Sequence, residues 1–168
     1  GKLTREQGQQ FLDTVYSLQP DCLVNSRVWK APLGDYSNTS DNQLATRTLA
    51  QDWENIITLN GSWGYKKSDH NWKSPVTIVR QIIDVVSKNG NLVINIGPTE
   101  TGEWDPVSES ILLEIGDWLD AYGDSIYGAG ASPTARPSWG RCTVKGNTLY
   151  LHVFDRPADR KLIVPGLK

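Results

Sequence analysis

Apolar positions along this chain follow two periods, one helical and one alternating, and the switches between them mark out the elements. Residues 4–18 carry Phe11, Leu12, Val15 and Leu18 as an apolar stripe, with Thr4 and Gln7 spaced as a capping box and Pro20 as the stop. Cys22-Leu23-Val24 is a short apolar run that predicts a buried strand, with Asn25-Ser26-Arg27 at its exit. Residues 28–52 are polar and aperiodic, a length that inside a compact domain marks a functional loop or an insertion. Then WENIITLNGSWGY, SPVTIVRQIIDVVSKNG and NLVINIGP read strand, loop, helix and strand, the order of a parallel βαβ unit. Ser74 and Pro75 open that helix, Val79, Ile82, Ile83 and Val86 face inward, and Gly90 closes it. A third helix begins at Asp105-Pro106 and repeats Ile111, Leu112, Ile115, Trp118, Leu119 and Tyr122 before Gly123. Residues 129–138 shift to Ala, Pro, Ser and Gly, a boundary signal. Beyond it, residues 141–144 and 148–154 alternate around Lys145-Gly146-Asn147 and predict a hairpin, and Lys161 starts one more strand up to Val164.

The fold class is therefore α/β with antiparallel strands after it. Three parallel strands with their helices are less than half of a (β/α)8 barrel, and two or three β-strands make a poor sandwich, so the chain reads as an excerpt. In parallel α/β architectures ligands gather at the C-terminal ends of the strands. Here those ends carry Trp63, Gly64 and Tyr65 after one strand and Asn95, Gly97 and Pro98 after the next. An indole, a phenol and a carboxamide on one rim suit a sugar, which offers an apolar face together with hydroxyls.

Composition narrows the classes. The 168 residues can enclose one ordinary core and carry a formal charge of −2 with scattered cations, which argues against a nucleic-acid surface. No run approaches the roughly 20 apolar residues of a membrane span, and the N-terminus lacks a signal-peptide pattern. Seven tryptophans and six tyrosines stand against two phenylalanines and no methionine, a balance that sugar-binding surfaces use and that helix packing also absorbs. Cys22 and Cys142 form no disulfide framework or zinc spacing, and Cys22 reads as a small buried thiol in its strand. Asn38-Thr39-Ser40 and Asn60-Gly61-Ser62 fit the glycosylation sequon. His70 and His152 lack metal-ligand spacing with any neighbour; His70 lies in a polar loop within reach of a leaving-group sugar, and His152 alternates as a half-exposed strand residue. No cofactor and no metal is expected.

The segments WENIITLNGSWGY, VSKNGNLVINIGPTETG and IGDWLDAYGDSIYG, in this order and flanked by LQPDCLVNSR and GDYSNTSDNQ, resemble the α-L-fucosidases of glycoside hydrolase family 29. The resemblance runs from about residue 3 to 132 and implies a retaining exo-glycosidase on a (β/α)8-like barrel. Residues 1–131 would be the C-terminal portion of the barrel, and residues 132–168 the first strands of a C-terminal β-sandwich. Retention needs two carboxyl groups about 5 Å apart, one attacking the anomeric carbon and one protonating the leaving oxygen. The resemblance places the nucleophilic aspartate upstream of Gly1 and the general acid/base in the loop after Gly34-Asp35-Tyr36, at Asp41, with Asp35 and Glu54 as rivals. It gives Arg27 the contact to fucose or to the acid/base group, and Trp63 the apolar C5-methyl side of fucose. Tyr65 binds substrate or buttresses the loop. The implied partner is a fucosylated oligosaccharide or glycoconjugate, with no nucleic acid and no membrane. A homo-oligomer stays open, as do secreted, periplasmic and lysosomal locations. The rival readings are a non-catalytic carbohydrate-binding module and a half-barrel scaffold whose aromatics are core.

Overall fold

Residues 3–30, 32–164 and 166 are described by a computed structural model of the chain. Helix α1 (Arg5–Leu18) starts from the expected capping box: the Thr4 hydroxyl accepts the Gln7 N–H and the Gln7 side chain accepts the Thr4 N–H. Its apolar stripe is thinner than expected, because Leu12 is buried while Phe11 and Leu18 are exposed.

Two-residue strand β1 (Ser37–Asn38), β2 (Trp53–Thr58) and β3 (Asn91–Asn95) form a parallel sheet in that order. Register runs Asn38 against Glu54, then Glu54 against Asn91 through to Thr58 against Asn95. Helix α2 (Pro75–Val86) crosses from β2 to β3, and its start is fixed by the Ser74 hydroxyl, which accepts the Thr77 N–H. Helix α3 (Pro106–Tyr122) starts the same way from the Asp105 carboxylate. Both helices lie on one side of the sheet, where Ile57 and Leu59 meet Ile78, Ile82 and Ile83 of α2 and Ile111 and Ile115 of α3.

Several expectations are corrected. The stretch at Cys22–Val24 is no strand; only Asn25 pairs, through a single parallel bridge to Tyr36. A 3-10 turn at Ser26–Val28, capped by the Asn25 side chain, bends the chain away before a ladder can grow, and Cys22 is left half-buried. The aperiodic segment holds β1, too short to leave an alternating signature. Gly90 is not the stop of α2: Ser87 is the C-cap and Asn89 takes the left-handed conformation at φ +66°. Gly90 is required for another reason, since a Cβ there would lie 2.3 Å from the Trp53 ring. Tyr122 points outward and stacks on Trp118, with ring centroids 5.4 Å apart.

After a 3-10 turn (Gly123–Ser125), β4 (Gly140–Lys145) and β5 (Thr148–Val153) make the expected antiparallel hairpin, closed by Gly146-Asn147. Residues 161–164 form no strand; the carbonyl of Ile163 instead accepts the indole N–H of buried Trp139 at 2.9 Å. The hairpin is fastened to α2 by one buried carboxylate. Asp84 accepts from Lys88, just past the end of the helix, and from Arg141 Nε of β4 at 2.5 Å. Removing one partner from such a buried cluster costs far more than opening a surface pair.

Candidate active site at the C-terminal ends of the parallel strands

Because Asn25, β1, β2 and β3 run parallel, the segments that leave them emerge on one rim. Arg27 follows Asn25, Asp41 follows β1, Trp63 and Tyr65 follow β2, and Asn95 ends β3.

Arg27 is set by the 3-10 turn, whose Asn25 cap accepts the Arg27 N–H at 2.8 Å. Its guanidinium Nη2 donates to Asp41 Oδ1. With its carboxamide turned to suit both neighbours, Asn38 also accepts from Arg27 Nη2 at 2.9 Å and donates to Asn25 Oδ1 at 3.2 Å. The two charged side chains are 53% and 47% exposed, so their ion pair is worth roughly 0–1 kcal/mol.

The rival carboxylates do other work. Asp35 accepts the Val24 N–H and the Tyr16 hydroxyl, each at 2.7 Å. Those two bonds, the backbone one first, hold its carboxyl below the ordinary range and push the Tyr16 phenol up. Asp35 thus ties α1 to the Asn25 segment. Glu54 sits within β2 and accepts from Asn25 Nδ2 at 2.9 Å, a bridge between neighbouring strands.

Trp63 and Tyr65 both stand out into solvent, 44% and 38% exposed. Their loop is fixed from beneath. Asn95 Nδ2 donates to the Trp63 carbonyl at 2.6 Å, and Gly97 approaches so closely that a Cβ would lie 2.3 Å from the Tyr65 nitrogen. Tyr65, His70, Asn95 and Gly97 line a cleft of about 250 Å³ that also reaches the start of α3. Trp63, Arg27 and Asp41 are not part of its lining.

Two supports escaped the sequence reading. Asp69 accepts from the Ser62 hydroxyl at 2.6 Å and from the Asn71 N–H at 3.1 Å, bonds that lower its carboxyl below the usual range and brace the Trp63 loop. Lys73 reaches back to the Thr58 and Asn60 carbonyls at the end of β2, and burial lowers its ammonium pKa. Neither residue belongs to a periodic segment, so no pattern signals it. Outside this rim, His152 bonds the Thr143 hydroxyl at 3.0 Å, and burial lowers its pKa to about 4. Among the described residues no three metal-ligating side chains gather, and no helix is long and apolar enough to cross a membrane.

The rim thus carries a guanidinium–carboxylate pair in the segments after Asn25 and β1 and exposed aromatic side chains in the segment after β2. The alpha-L-fucosidase family profile matches residues 3–124. An alpha-L-fucosidase of Branchiostoma floridae is 30% identical over 164 residues, 90% of this chain and 36% of that protein. Human plasma alpha-L-fucosidase is 35% identical over 126 residues, covering 70% of this chain and 27% of its own length. This chain thus spans about a third of the relatives it matches. Among solved structures, alpha-L-fucosidase isoenzyme 1 from Paenibacillus thiaminolyticus superposes with a TM-score of 0.87 at 34% identity, over 94% of this chain and 42% of that one. A glycoside hydrolase family 29 enzyme from Bacteroides thetaiotaomicron, trapped as a covalent intermediate with 2-fluoro-fucosyl fluoride, does so at 0.85 and 26% identity, over 94% and 41%. On the match of most of its length, and on structures that share its α/β fold, this chain belongs to the α-L-fucosidase family.

Proposed function

We propose that this chain is the part of a retaining α-L-fucosidase that supplies the acid/base group and much of the sugar-binding rim. In this reading Asp41 is the general acid/base, Arg27 contacts it or the fucose, Trp63 covers the C5-methyl face, and Tyr65 binds substrate or buttresses the loop. The substrate is a terminal α-L-fucosyl residue on an oligosaccharide or glycoconjugate. Residues 1–131 form the C-terminal portion of a (β/α)8 barrel, supported by the parallel order of β1, β2 and β3 under α2 and α3. Residues 132–168 open a β-sandwich, supported by the antiparallel β4–β5 hairpin.

The observation that carries the reading is the ion pair of Arg27 with Asp41, which joins the turn after the Asn25 bridge to the loop after β1. The pair holds Asp41 in the carboxylate form that the second step needs, and in the first step the proton sits on Oδ2, the oxygen that Arg27 does not bond. In the first step Asp41 gives a proton to the glycosidic oxygen as a nucleophilic carboxylate attacks the anomeric carbon; in the second it takes a proton from the incoming water. The Arg27 guanidinium fixes the direction of Asp41 Oδ1 and spares it a search through rotamers. The nucleophile must stand about 5 Å from Asp41. Asp35 and Glu54, the rivals for the acid/base role, are each engaged between segments, which favours Asp41 for it.

The test uses the protein that contains this chain. Asp41→Ala lowers kcat/KM for an alkyl α-L-fucoside by about 10²–10⁴-fold, and far less for a dinitrophenyl α-L-fucoside, whose leaving group needs no proton. Azide restores turnover of the aryl substrate and yields a fucosyl azide. Equal losses on both substrates would remove Asp41 from catalysis. Binding of fucosides without any hydrolysis by the wild-type protein would favour a carbohydrate-binding module.

A further inference from the structure

We propose that Asn55 is a positioning residue for Asp41, acting through the backbone of the loop that carries it; the inference rests on the acid/base reading of Asp41. Asn55 lies in the middle of β2 between Trp53 and Ile57, and all three are buried on the same side of the strand. A carboxamide with no exposed surface is unexpected in that row. Its Nδ2 donates to the Thr39 hydroxyl at 2.5 Å and to the Gln43 carbonyl at 2.8 Å, with the Ser40 carbonyl at 3.5 Å. Those acceptors bracket Asp41 on both sides in sequence. One amide thus holds both feet of the arch 39–43.

Three further bonds close the arch onto β2. The Thr39 N–H donates to the Glu54 carbonyl at 3.1 Å, and the Asn42 N–H donates to the Ile56 carbonyl at 2.9 Å. From the arch itself, Asn42 Oδ1 accepts the Thr58 N–H at 3.0 Å. Asn42 is held at φ +56°, a left-handed conformation that asparagine tolerates better than most residues. Asp41 therefore projects from a segment fixed before and after it, while its own side chain stays half exposed and bonded to Arg27.

The other end of the carboxamide argues that this is more than a stability device. Asn55 Oδ1 is buried and has no hydrogen-bond partner among the described residues. An orphaned buried carbonyl is destabilising, and an apolar residue of the same shape would avoid that cost. The chain keeps the amide where only its donors are used, and both donors go to the arch. Local conflicts of this kind concentrate at functional sites.

The experiment compares Asn55→Leu, Asn42→Gly and Asp41→Ala in the protein that contains this chain, with Thr143→Val as a destabilised control in the hairpin. Each is assayed on an alkyl and on a dinitrophenyl α-L-fucoside. A displaced acid/base group should cost on the order of 10²-fold on the alkyl substrate and about threefold or less on the activated one, as fits a residue acting through proton transfer. Asn42→Gly keeps the left-handed backbone without strain and decides the question if Asn55→Leu does not fold; it should show the same substrate dependence with a smaller loss. Thr143→Val should lower Tm without changing the ratio between substrates. Equal losses on both substrates for the two asparagine variants, with a clear difference for Asp41→Ala, would overturn the positioning role alone. No difference for Asp41→Ala would overturn the acid/base reading and this inference with it.

Discussion

The βαβ unit from β2 to β3 and the segment from Cys22 to Asp52 lie side by side in one parallel sheet, yet they are held by different forces. The first is a hydrophobic assembly in which Ile57, Ile78, Ile82 and Ile83 close on each other, with the helix start written in Ser74 and Pro75. The second has little core. It is pinned by Asp35 on Val24, Asn25 on Glu54, Asn55 on the arch and Asn42 on Thr58. Burial is non-directional and rewards bulk, whereas these bonds fix atoms in place. The proposed catalytic pair sits in the second region, where precision matters more than mass.

Substitutions can break that contrast or sharpen it. Ile78 is fully buried under β2, and Ile78→Ala should cost about 2–5 kcal/mol in denaturant unfolding. The substrate ratio of the folded fraction should be unchanged; a changed ratio would mean that the core also tunes the arch. Gly97→Ala stands at the border between the regions, since its Cβ would strike the backbone of Tyr65 and Gly64. Overpacking of that kind costs about 1–3 kcal/mol. It should raise KM for fucosides more than it lowers kcat, because the loop carrying Trp63 and Tyr65 must move. An unchanged KM would show that this loop does not touch substrate.

The same contrast explains what could be read from the sequence. Helices α2 and α3, strands β2 and β3 and the hairpin announce themselves through period and caps, because burial and local capping make them. Strand β1 has two residues and no period to show. The expected strand at Cys22 fails because a short apolar run says nothing of the turn that Asn25 caps behind it. Of the candidate site, Arg27, Asp41, Trp63 and Tyr65 were accessible through resemblance to a family, and in the structure they lie in the segments that follow Asn25, β1 and β2. What holds them was not accessible, with one exception. Asn55 interrupts the buried alternation of Trp53 and Ile57, and a polar residue in an apolar row is a visible conflict. Lys73 and Asp69 leave no such mark, since their partners are backbone groups and a serine brought near only by the fold.

His152 makes the hairpin a proton-sensitive part of the molecule. Burial lowers its pKa from 6.5 to about 4 in the folded chain, and its ring bonds the Thr143 hydroxyl instead of water. Between those two values the unfolded chain binds more protons than the folded one, so acid favours unfolding by mass action. The contribution of this histidine to stability is complete above its unfolded pKa of 6.5 and drains away as the pH falls towards about 4. His152→Gln should flatten that part of the stability curve while leaving the rest in place, read by denaturant midpoints across the interval. If the slope is unchanged, the titrating group lies elsewhere. If it flattens, the hairpin sets how far into acid this fold can work.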